Sequence, residues 1–272
     1  MTARALEKYI GELCSGRGGA LVAFSGGVDS ALVLRAALEG APAALAVTAR
    51  HALSRPGEAE EAREAALSMG AEHVFAEIDV MALPEVRHNG RERCYLCKRA
   101  IFAEIKRIAS ERGYAVLDGT NASDLRELRP GRRALAELGI RSPLAELGIE
   151  KDAVRALAAE YGLGVSAKPS SPCMATRFPY GAELTAETLA RAAAAEELLK
   201  KMGFPVCRAR TYDAGGAALA RIEVPAERFA DMLPRFGDVS EGLKRLGYTY
   251  VALDMEGLRS GSMDEALRAV DS

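Results

Sequence analysis

The stretch ALVAFSGGVDSALVLRAALEG, residues 20–40, decides the fold class of this 272-residue chain. Its first part, 20–27, has the apolar run of a buried strand and ends in a glycine turn, whereas 28–40 has helical periodicity and ends at Gly40. The alternation continues, with predicted strands at 43–50, 73–80 and 114–121 and predicted helices at 2–14, 57–69, 95–113 and 151–162. Short connections between such elements predict an α/β fold, a parallel sheet with helices on both faces.

After residue 184 the order changes to helix–strand–strand–helix–strand, which predicts a small C-terminal α+β domain. Its elements are expected at 185–202, 205–211, 218–224, 225–234, 239–246 and 248–254. The predicted organisation is a first domain at 1–170, a junction loop at 171–184, and a domain for substrate binding or oligomerisation at 185–272. The weakly periodic segment 122–150 contains two near-repeats, LAELGI at 135–140 and LAELGIE at 144–150. We interpret them as short helix ends.

Composition indicates an ordinary globular protein, since 49% of the residues are apolar, 27% are charged and the formal net charge is -2. This charge predicts no attraction to nucleic acid or to an anionic membrane, so neither is an expected partner. No signal-peptide pattern and no apolar run of transmembrane length is visible, so we expect a cytoplasmic protein. Because thiols stay reduced there, the five cysteines are expected to be structural, metal-binding or catalytic rather than disulfide-bonded.

The hexapeptide SGGVDS, residues 25–30, is a candidate phosphate-binding loop because it joins a predicted strand to a predicted helix. The glycines allow close backbone approach, the serines offer hydroxyl donors, and the aspartate makes sense if Mg²⁺ bridges it to phosphate. The candidate ligands are Ser25, Gly26, Gly27, Asp29 and Ser30. Neither a Walker A nor a Rossmann glycine pattern is present. A glycine-rich turn without a ligand is the simpler alternative, but the complete motif after the first strand favours nucleotide binding.

Cys94, Cys97 and Cys173 are the cysteines that we expect to carry chemistry. The pair in CYLC begins a predicted helix, where side chains at i and i+3 share a face and nearby basic residues favour thiolates. It fits a redox dithiol, half of a zinc or iron–sulfur site, or two incidental cysteines, and His88 is near enough in sequence to be a further ligand. Cys173 lies in the proline-bounded loop KPSSPCMATRFPYG, residues 168–181. Three cysteines can hold a [4Fe–4S] cluster and leave one iron open.

These motifs resemble those of one enzyme family. SGGVDS resembles the PP-loop of the ATP pyrophosphatase superfamily, whose members cleave ATP between its α and β phosphates and adenylate a substrate oxygen. DGTN, residues 118–121, resembles that superfamily's second nucleotide loop, which implies Gly119 and Thr120 as ligands of ATP. The chain as a whole is similar to the LarE family of ATP-dependent sacrificial sulfur transferases. The similarity rests on FSGGVDS (24–30), AVTAR (46–50), RCYLCK (93–98), LDGTN (117–121), RPG (129–131), RSPLAELGIEK (141–151), KPSSPCMATRFPYG (168–181), RAR (208–210) and RIE (221–223).

The resemblance implies ATP, Mg²⁺ at Asp29, and a small nucleotide substrate. Members of the family adenylate the carboxylates of pyridinium-3,5-biscarboxylic acid mononucleotide and replace AMP with sulfur, in the biosynthesis of a nickel-pincer cofactor. The sulfur comes from Cys173, which becomes dehydroalanine, or from a [4Fe–4S] cluster on Cys94, Cys97 and Cys173, the version that the CxxC pair favours. The family also implies a homo-oligomer, a hexamer built from trimers, and a downstream nickel-inserting protein.

Arginines in and after the loop are candidate anion ligands. Arg177 follows the loop cysteine by four residues and is expected to favour its thiolate or to hold the AMP phosphate. Arg208 and Arg210 share a strand face and suit the phosphate of the substrate, with a solvated strand edge as the alternative. Glu196 and Glu223 match acidic positions of the family, with a plain surface helix and strand as the alternatives.

Other PP-loop functions remain open at this point. A tRNA thiolase would use the same cysteines, although the acidic charge balance counts against it. An amide-forming ligase of the NAD synthetase type would need no cysteine. A nucleotide-binding module without activity is a further alternative.

Overall fold

The computed structural model describes residues 2–126, 131–164, 172–259 and 261–265. Contacts divide the chain into two compact units. The first comprises Met1–Val86 and Glu92–Ser171, and the second comprises Arg87–Arg91 and Pro172–Ser272. The predicted domain boundary at residue 170 lies outside the described residues. The segment Arg87–Arg91 is too short to carry a periodic signal, so the sequence analysis did not separate it from its neighbours.

The first unit is built on a parallel sheet. Its strands are β1 (Gly19–Ala23), β2 (Ala44–Arg50), β3 (Glu72–Glu77) and β4 (Tyr114–Leu117), in the order β3-β2-β1-β4. Its helices are α1 (Ala3–Leu13), α2 (Val28–Gly40), α3 (Glu58–Ser68), α4 (Pro84–Arg87), α5 (Arg93–Arg112), α6 (Gly131–Leu138), α7 (Pro143–Glu146) and α8 (Lys151–Glu160). None of the helices in the described part of the chain is long and apolar enough to cross a membrane.

Helices cover both faces of this sheet, which confirms the predicted fold class. Ala20 and Val22 of β1 pack in a core with residues of α1, α2, α3 and α8, whereas Leu21 packs in another with residues of α5 and α6. Because alternate side chains of a strand point to opposite faces, a strand buried on both faces needs apolar residues at successive positions. The run ALVA at 20–23 meets that requirement and places the phosphate loop at the end of a central strand.

The near-repeats at 135–140 and 144–150 end short helices, as predicted. In each, the helix is followed by a glycine in the left-handed region, Gly139 with φ 66° and Gly148 with φ 68°. The amide of the isoleucine after that glycine donates to the carbonyl of the leucine that begins the repeat, at 3.0 Å and 2.8 Å respectively. This is a Schellman-type ending, which satisfies a carbonyl that a helix end leaves unpaired. The similarity is therefore one of helix capping.

The second unit combines helices with a small mixed sheet, as the sequence predicts. Its helices are α9 (Ala186–Lys201), α10 (Phe229–Met232) and α11 (Phe236–Arg245), and its strands are β5 (Arg208–Asp213), β6 (Ala218–Glu223) and β7 (Tyr250–Leu253). The sheet order is β5-β6-β7, with β5 antiparallel and β7 parallel to β6. Its core includes Leu199, Phe204, Ile222 and Leu243, each at most 2% exposed.

Prolines explain two differences between the predicted and observed elements of the second unit. The strand predicted at 205–211 begins only at Arg208, because Pro205 has no N–H to donate to a sheet. The helix predicted at 225–234 is a succession of short turns around α10. Pro234 lies in the first turn of the last of them, and it interrupts the helical hydrogen-bond pattern.

Side chains of aspartates end two strands of the first unit earlier than predicted. The strand predicted at 73–80 ends at Glu77, because the Asp79 carboxylate accepts hydrogen bonds from the next amides and starts a 3-10 turn. The strand predicted at 114–121 ends at Leu117, and the following Asp118 carboxylate accepts from an amide two residues on. Such local bonds compete with the sheet for backbone amides.

Candidate functional site

The predicted phosphate loop follows β1 and leads into α2, which begins at Val28. Gly26 has φ 70°, in the left-handed region that residues with a Cβ rarely adopt. The hydroxyls of Ser25 and Ser30 are 3.2 Å apart, and that of Ser30 donates to the Gly27 carbonyl at 3.0 Å. The loop is therefore held by its own hydroxyl groups at the positive end of the α2 dipole, where an anion is favoured.

The loop after β4 approaches the first turn of α2 so closely that it requires glycine. A Cβ on Gly119 would lie 2.8 Å from the Ser30 amide nitrogen and 3.1 Å from the Asp29 carbonyl carbon. Backbone atoms cannot rotate away as side chains do, so the space is closed to any larger residue. Beside it, the Thr120 hydroxyl donates to the Asp118 carboxylate at 2.6 Å. The structure thus brings the two predicted nucleotide loops together within the first unit.

Asp29 is held by two side chains that the sequence analysis did not assign. Lys151 Nζ lies 2.5 Å from Asp29 Oδ2, and Asn121 Nδ2 donates to Asp29 Oδ1 at 3.0 Å. The Asp29 side chain keeps 23% of its surface exposed, so the carboxylate is both oriented and reachable. Asn121 and Lys151 end the motifs LDGTN and RSPLAELGIEK, and their place in those motifs was the only signal of their importance.

The five cysteines differ in exposure. Cys94 near the start of α5 is exposed and Cys97, one turn later, is half-buried, whereas Cys14 and Cys207 are buried. Burial raises the pKa of Cys14. Burial and the nearby Glu196 carboxylate raise the pKa of Cys207 to about 12. These two thiols therefore stay protonated at neutral pH, as structural cysteines do.

Cys173 is exposed and precedes a 3-10 helix, Met174–Arg177. Its carbonyl accepts hydrogen bonds from the Thr176 amide at 3.1 Å, the Thr176 hydroxyl at 2.8 Å and Arg177 Nη1 at 3.3 Å. Arg177 Nη1 also donates to the Pro172 carbonyl at 2.9 Å. The backbone on both sides of this exposed cysteine is thus tied to one buried arginine.

Arg177 and Glu196 form a buried ion pair, with side chains 1% and 5% exposed. Arg177 Nε donates to Glu196 Oε1 at 2.7 Å and Nη2 donates to Oε2 at 2.9 Å. Together with the bonds to the Cys173 turn, these contacts leave at most a single N–H of the guanidinium for a ligand. The prediction that Arg177 serves the thiolate or the AMP phosphate stays a prediction, and the contacts assign the arginine a structural role beside the cysteine.

Arg210 is bound in the same manner. Its Nε and Nη2 donate to the Glu223 carboxylate at 3.0 Å and 2.7 Å, Nη2 also donates to Ser262 Oγ at 3.0 Å, and Nη1 donates to the Thr176 carbonyl at 2.8 Å. Glu223 is fully buried and Glu196 is 4% exposed, so the alternative that these two glutamates lie on a surface is wrong. Arg210 is 5% exposed, which also excludes a solvated strand edge for it.

Arg208 keeps more of its hydrogen-bonding capacity. It is half-buried, and its Nη1 donates to the Cys207 carbonyl at 2.7 Å. Within the described part of the chain, no carboxylate forms an ion pair with it. Burial, reinforced by the positive charge of Arg177, lowers the pKa of Arg208. A half-buried arginine that forms no ion pair among the described residues can still bind an anion, so Arg208 fits the predicted phosphate contact better than Arg210 does.

A curated protein with high similarity is the pyridinium-3,5-bisthiocarboxylic acid mononucleotide synthase of Lactiplantibacillus plantarum. It is 39% identical to this chain over 249 residues, which cover 90% of this chain and 89% of that protein. This chain belongs to the same family, the LarE family. An uncharacterized protein of Synechocystis is 39% identical over 266 residues, 96% of each chain, and one of Methanocaldococcus jannaschii is 30% identical over 241 residues, 88% of this chain and 90% of that protein. No protein-family model matches the chain.

LarE-family membership confirms the predicted family, whereas the roles of single residues remain predictions. The CxxC pair lies in the first unit and Cys173 in the second. Among the residues that the structure describes, no group of three or more His, Cys, Asp or Glu side chains is arranged to hold a metal ion. The cluster ligands Cys94, Cys97 and Cys173, and His88 as an additional ligand, are therefore hypotheses for experiment.

Proposed function

We propose that this LarE-family enzyme uses ATP to transfer sulfur to the carboxylates of pyridinium-3,5-biscarboxylic acid mononucleotide, giving the bis-thiocarboxylic acid mononucleotide, AMP and pyrophosphate. The observation that carries the proposal is the 39% identity to the Lactiplantibacillus plantarum synthase over 90% of this chain. That match favours sulfur transfer to this class of substrate over tRNA thiolation and over amide formation.

In this proposal the first unit binds ATP and activates the carboxylate. The phosphates lie against the loop at 25–30 and the start of α2, where backbone amides and the helix dipole favour anions. Asp29 offers the hard oxygen ligands that Mg²⁺ prefers, and its oriented, partly exposed carboxylate fits that ion. Bound Mg²⁺ neutralises phosphate charge and makes pyrophosphate a better leaving group. Asn121 keeps the carboxylate in place, and Lys151 pairs with it until the ion binds.

Lys151 is expected to weaken metal binding and to promote the cleavage of ATP. In Lys151→Met, nucleotide-free protein should bind Mn²⁺ about fivefold more tightly, because Asp29 loses a competing ammonium in a partly exposed pair. Pyrophosphate release should fall at least about tenfold, because an ammonium freed from Asp29 would otherwise bind phosphate oxygens. Electron paramagnetic resonance of Mn²⁺ and a pyrophosphate assay measure the two effects.

The matched control for Lys151 is Arg155→Gln on the same helix, whose exposed pair with Asp152 lies 3.8 Å apart. It should leave both measurements within about twofold of wild type, because such pairs contribute little. Equal Mn²⁺ affinities in Lys151→Met and wild type would show that the ammonium does not compete for Asp29.

In the sacrificial version, Cys173 supplies the sulfur. Its thiolate attacks the carbonyl carbon of the acyl adenylate, a carbon–sulfur bond forms, and AMP leaves with the bonding electron pair. Loss of the Cα proton then breaks the Cβ–S bond, which releases the thiocarboxylate and leaves dehydroalanine at position 173. The hydrogen bonds of Arg177 and Thr176 to the cysteine carbonyl hold the turn in which the reacting side chain stands. Each Cys173 reacts once, so a further source is needed for turnover.

The cluster version uses the same cysteine as one ligand of three. Cys94, Cys97 and Cys173 would hold a [4Fe–4S] cluster, and thiolates are the donors that such clusters require. Cys94 and Cys173 are both exposed, so each thiol is accessible to an added ligand. When bound, the cluster would carry an additional sulfide at its open iron and so deliver sulfur repeatedly.

The remaining predictions concern the substrate contact, assembly and location. Arg208 contacts the phosphate of the substrate, since its half-buried guanidinium forms no ion pair among the described residues. Arg210 contributes at most a single N–H to that phosphate, because its other donors bind protein atoms. A hexamer built from trimers, a downstream nickel-inserting protein and a cytoplasmic location follow from the family resemblance.

The decisive experiment is anaerobic purification, followed by iron and sulfide analysis and by intact-protein mass after turnover with ATP and substrate. Loss of the mass of H₂S at Cys173 is expected for sacrifice. Iron, acid-labile sulfide and an unchanged protein mass are expected for the cluster. Sulfur transfer with neither signature would remove Cys173 from the mechanism. Absence of a thiocarboxylate product after turnover with ATP and substrate would refute the proposed function.

A further inference from the structure

Asn89 belongs to the short segment Arg87–Arg91, which packs with the second unit although the residues on both sides of it belong to the first. Its side chain is fully buried, and its backbone has φ 49°. Left-handed φ values cost a residue with a Cβ, although less for asparagine than for most others. A buried, strained polar residue needs compensation from its contacts.

That compensation lies in the turn that follows Cys173. Asn89 Nδ2 donates to the carbonyls of Ala175 at 3.2 Å, Phe178 at 3.0 Å and Pro179 at 2.9 Å. The Ala175 and Pro179 carbonyls also accept the backbone amides of Phe178 and Ala182, each at 3.2 Å, so the Asn89 amide adds a second hydrogen bond to each. A single side-chain amide thus binds three carbonyl oxygens of the turn after Cys173.

The contacts fix which way the amide of Asn89 points. Carbonyl oxygens only accept hydrogen bonds, so the group facing them must be the NH₂ donor rather than the amide oxygen. The oxygen Oδ1 is buried and has no hydrogen-bond partner in the part of the chain that the structure describes. A protein tolerates such an unpaired acceptor where the opposite end of the group is needed for its donors.

The backbone of the same segment extends the attachment. The Asn89 carbonyl accepts from the Gly181 amide at 3.3 Å, and the Arg87 carbonyl accepts from the Leu184 amide at 2.7 Å. Arg177 and Arg210 bind carbonyls in the first half of the turn, at Pro172, Cys173 and Thr176. The residues from Pro172 to Leu184, whose only helical part is the 3-10 helix Met174–Arg177, are therefore held from two sides.

We propose that Asn89 is a positioning residue for Cys173, which holds the turn after the cysteine in the conformation that presents the thiol. Its effect acts through the carbonyls of the turn. The relevance to sulfur transfer depends on the proposed role of Cys173, whereas the effect on the turn does not. Loss of the amide should loosen the turn. Sulfur transfer should then fall, while adenylation, which we assign to the first unit, continues.

The test compares Asn89→Gly with wild type by hydrogen exchange and by product ratio. Glycine accepts the positive φ without strain, so the substitution removes the amide and spares the backbone. Amides of residues 176–184 should exchange about tenfold faster, as expected for the loss of one or two hydrogen bonds. The yield of thiocarboxylate per pyrophosphate released should fall by about the same factor.

The control in the same segment is Arg87→Ala, which keeps the backbone carbonyl that binds the turn and removes only an exposed ion pair with Glu183, 4.0 Å long, of a kind that contributes little. It should leave both measurements unchanged. Asn89→Asp keeps the size of the side chain but faces three carbonyls with an acceptor, and it should reproduce the local increase in exchange. It replaces the glycine variant if that variant does not fold.

Two results would overturn the proposal. One is unchanged exchange at 176–184 in both Asn89 variants. The other is faster exchange across β5 and β6 together with an equal loss of pyrophosphate and thiocarboxylate, which would make Asn89 a general stabilising residue. If wild type forms no thiocarboxylate, the proposed function fails, and the exchange measurement still decides the role of Asn89 in the turn.

Discussion

Glu196→Gln is expected to destabilise the second unit by about 3–5 kcal/mol, because it leaves the Arg177 guanidinium charged, buried and unpaired. The pair is 1% and 5% exposed and is joined by hydrogen bonds at 2.7 Å and 2.9 Å. Glutamine keeps the shape of the side chain but turns an NH₂ donor toward a cation that can only donate. Hydrogen exchange of β5 and β6 in urea measures the free energy of unfolding of this unit.

The matched control is Glu187→Gln on the same helix, whose pair with Arg191 is 80% exposed at the glutamate. Its removal should cost no more than about 0.5 kcal/mol, since exposed pairs at i and i+4 contribute little. The double variant Glu196→Leu with Arg177→Met should recover part of the lost stability, because it removes both charges. It should nevertheless fail in sulfur transfer, since the Pro172 carbonyl loses its Arg177 donor and the Cys173 carbonyl keeps only the donors of Thr176. A Glu196→Gln protein as stable as the control would show that the Arg177 charge is compensated by other groups.

Gly119→Ala is expected to lower the affinity for ATP by about a hundredfold and to abolish adenylation. The new Cβ would lie 2.8 Å from the Ser30 amide nitrogen, with the Asp29 carbonyl carbon and the Ser30 Cα each at 3.1 Å. All three are backbone atoms of the first turn of α2, so relief requires that turn to move away from the phosphate loop. Isothermal titration with ATP and Mg²⁺, together with pyrophosphate release, measures the effect.

The matched control is Gly164→Ala in the same unit, where an added Cβ meets nothing within 4 Å and φ is not positive. It should bind ATP as wild type does. The fold of Gly119→Ala can be checked separately by hydrogen exchange in β1 and β4, which should stay protected if the change is confined to the loops. ATP affinity within about threefold of wild type would show that the close approach of these loops is not needed for binding.

Local sequence patterns correctly predicted the main strands and helices of the first unit. The apolar run at 20–24 gave a central strand, SGGVDS the loop after it, and CYLC the start of a helix. Each depends on residues that are neighbours in sequence, so periodicity and turn chemistry are sufficient. The errors fell at ends of elements, at Pro205, Pro234 and the capping aspartates, where one side chain decides between sheet and turn.

The sequence by itself determined the fold class, the positions of the candidate phosphate loop and of the cysteines predicted to react, and the resemblance that comparison with known proteins confirmed. Only the tertiary structure decided which groups hold them. Lys151 meets Asp29 across 122 residues, and Asn89 meets the Cys173 turn across 86 to 90. Arg177 and Arg210 were predicted to bind an anion, but most of their N–H groups donate to buried glutamates and backbone carbonyls. Such partners are set by how distant elements pack and which buried charges must be neutralised, and no local pattern in a single sequence contains that information.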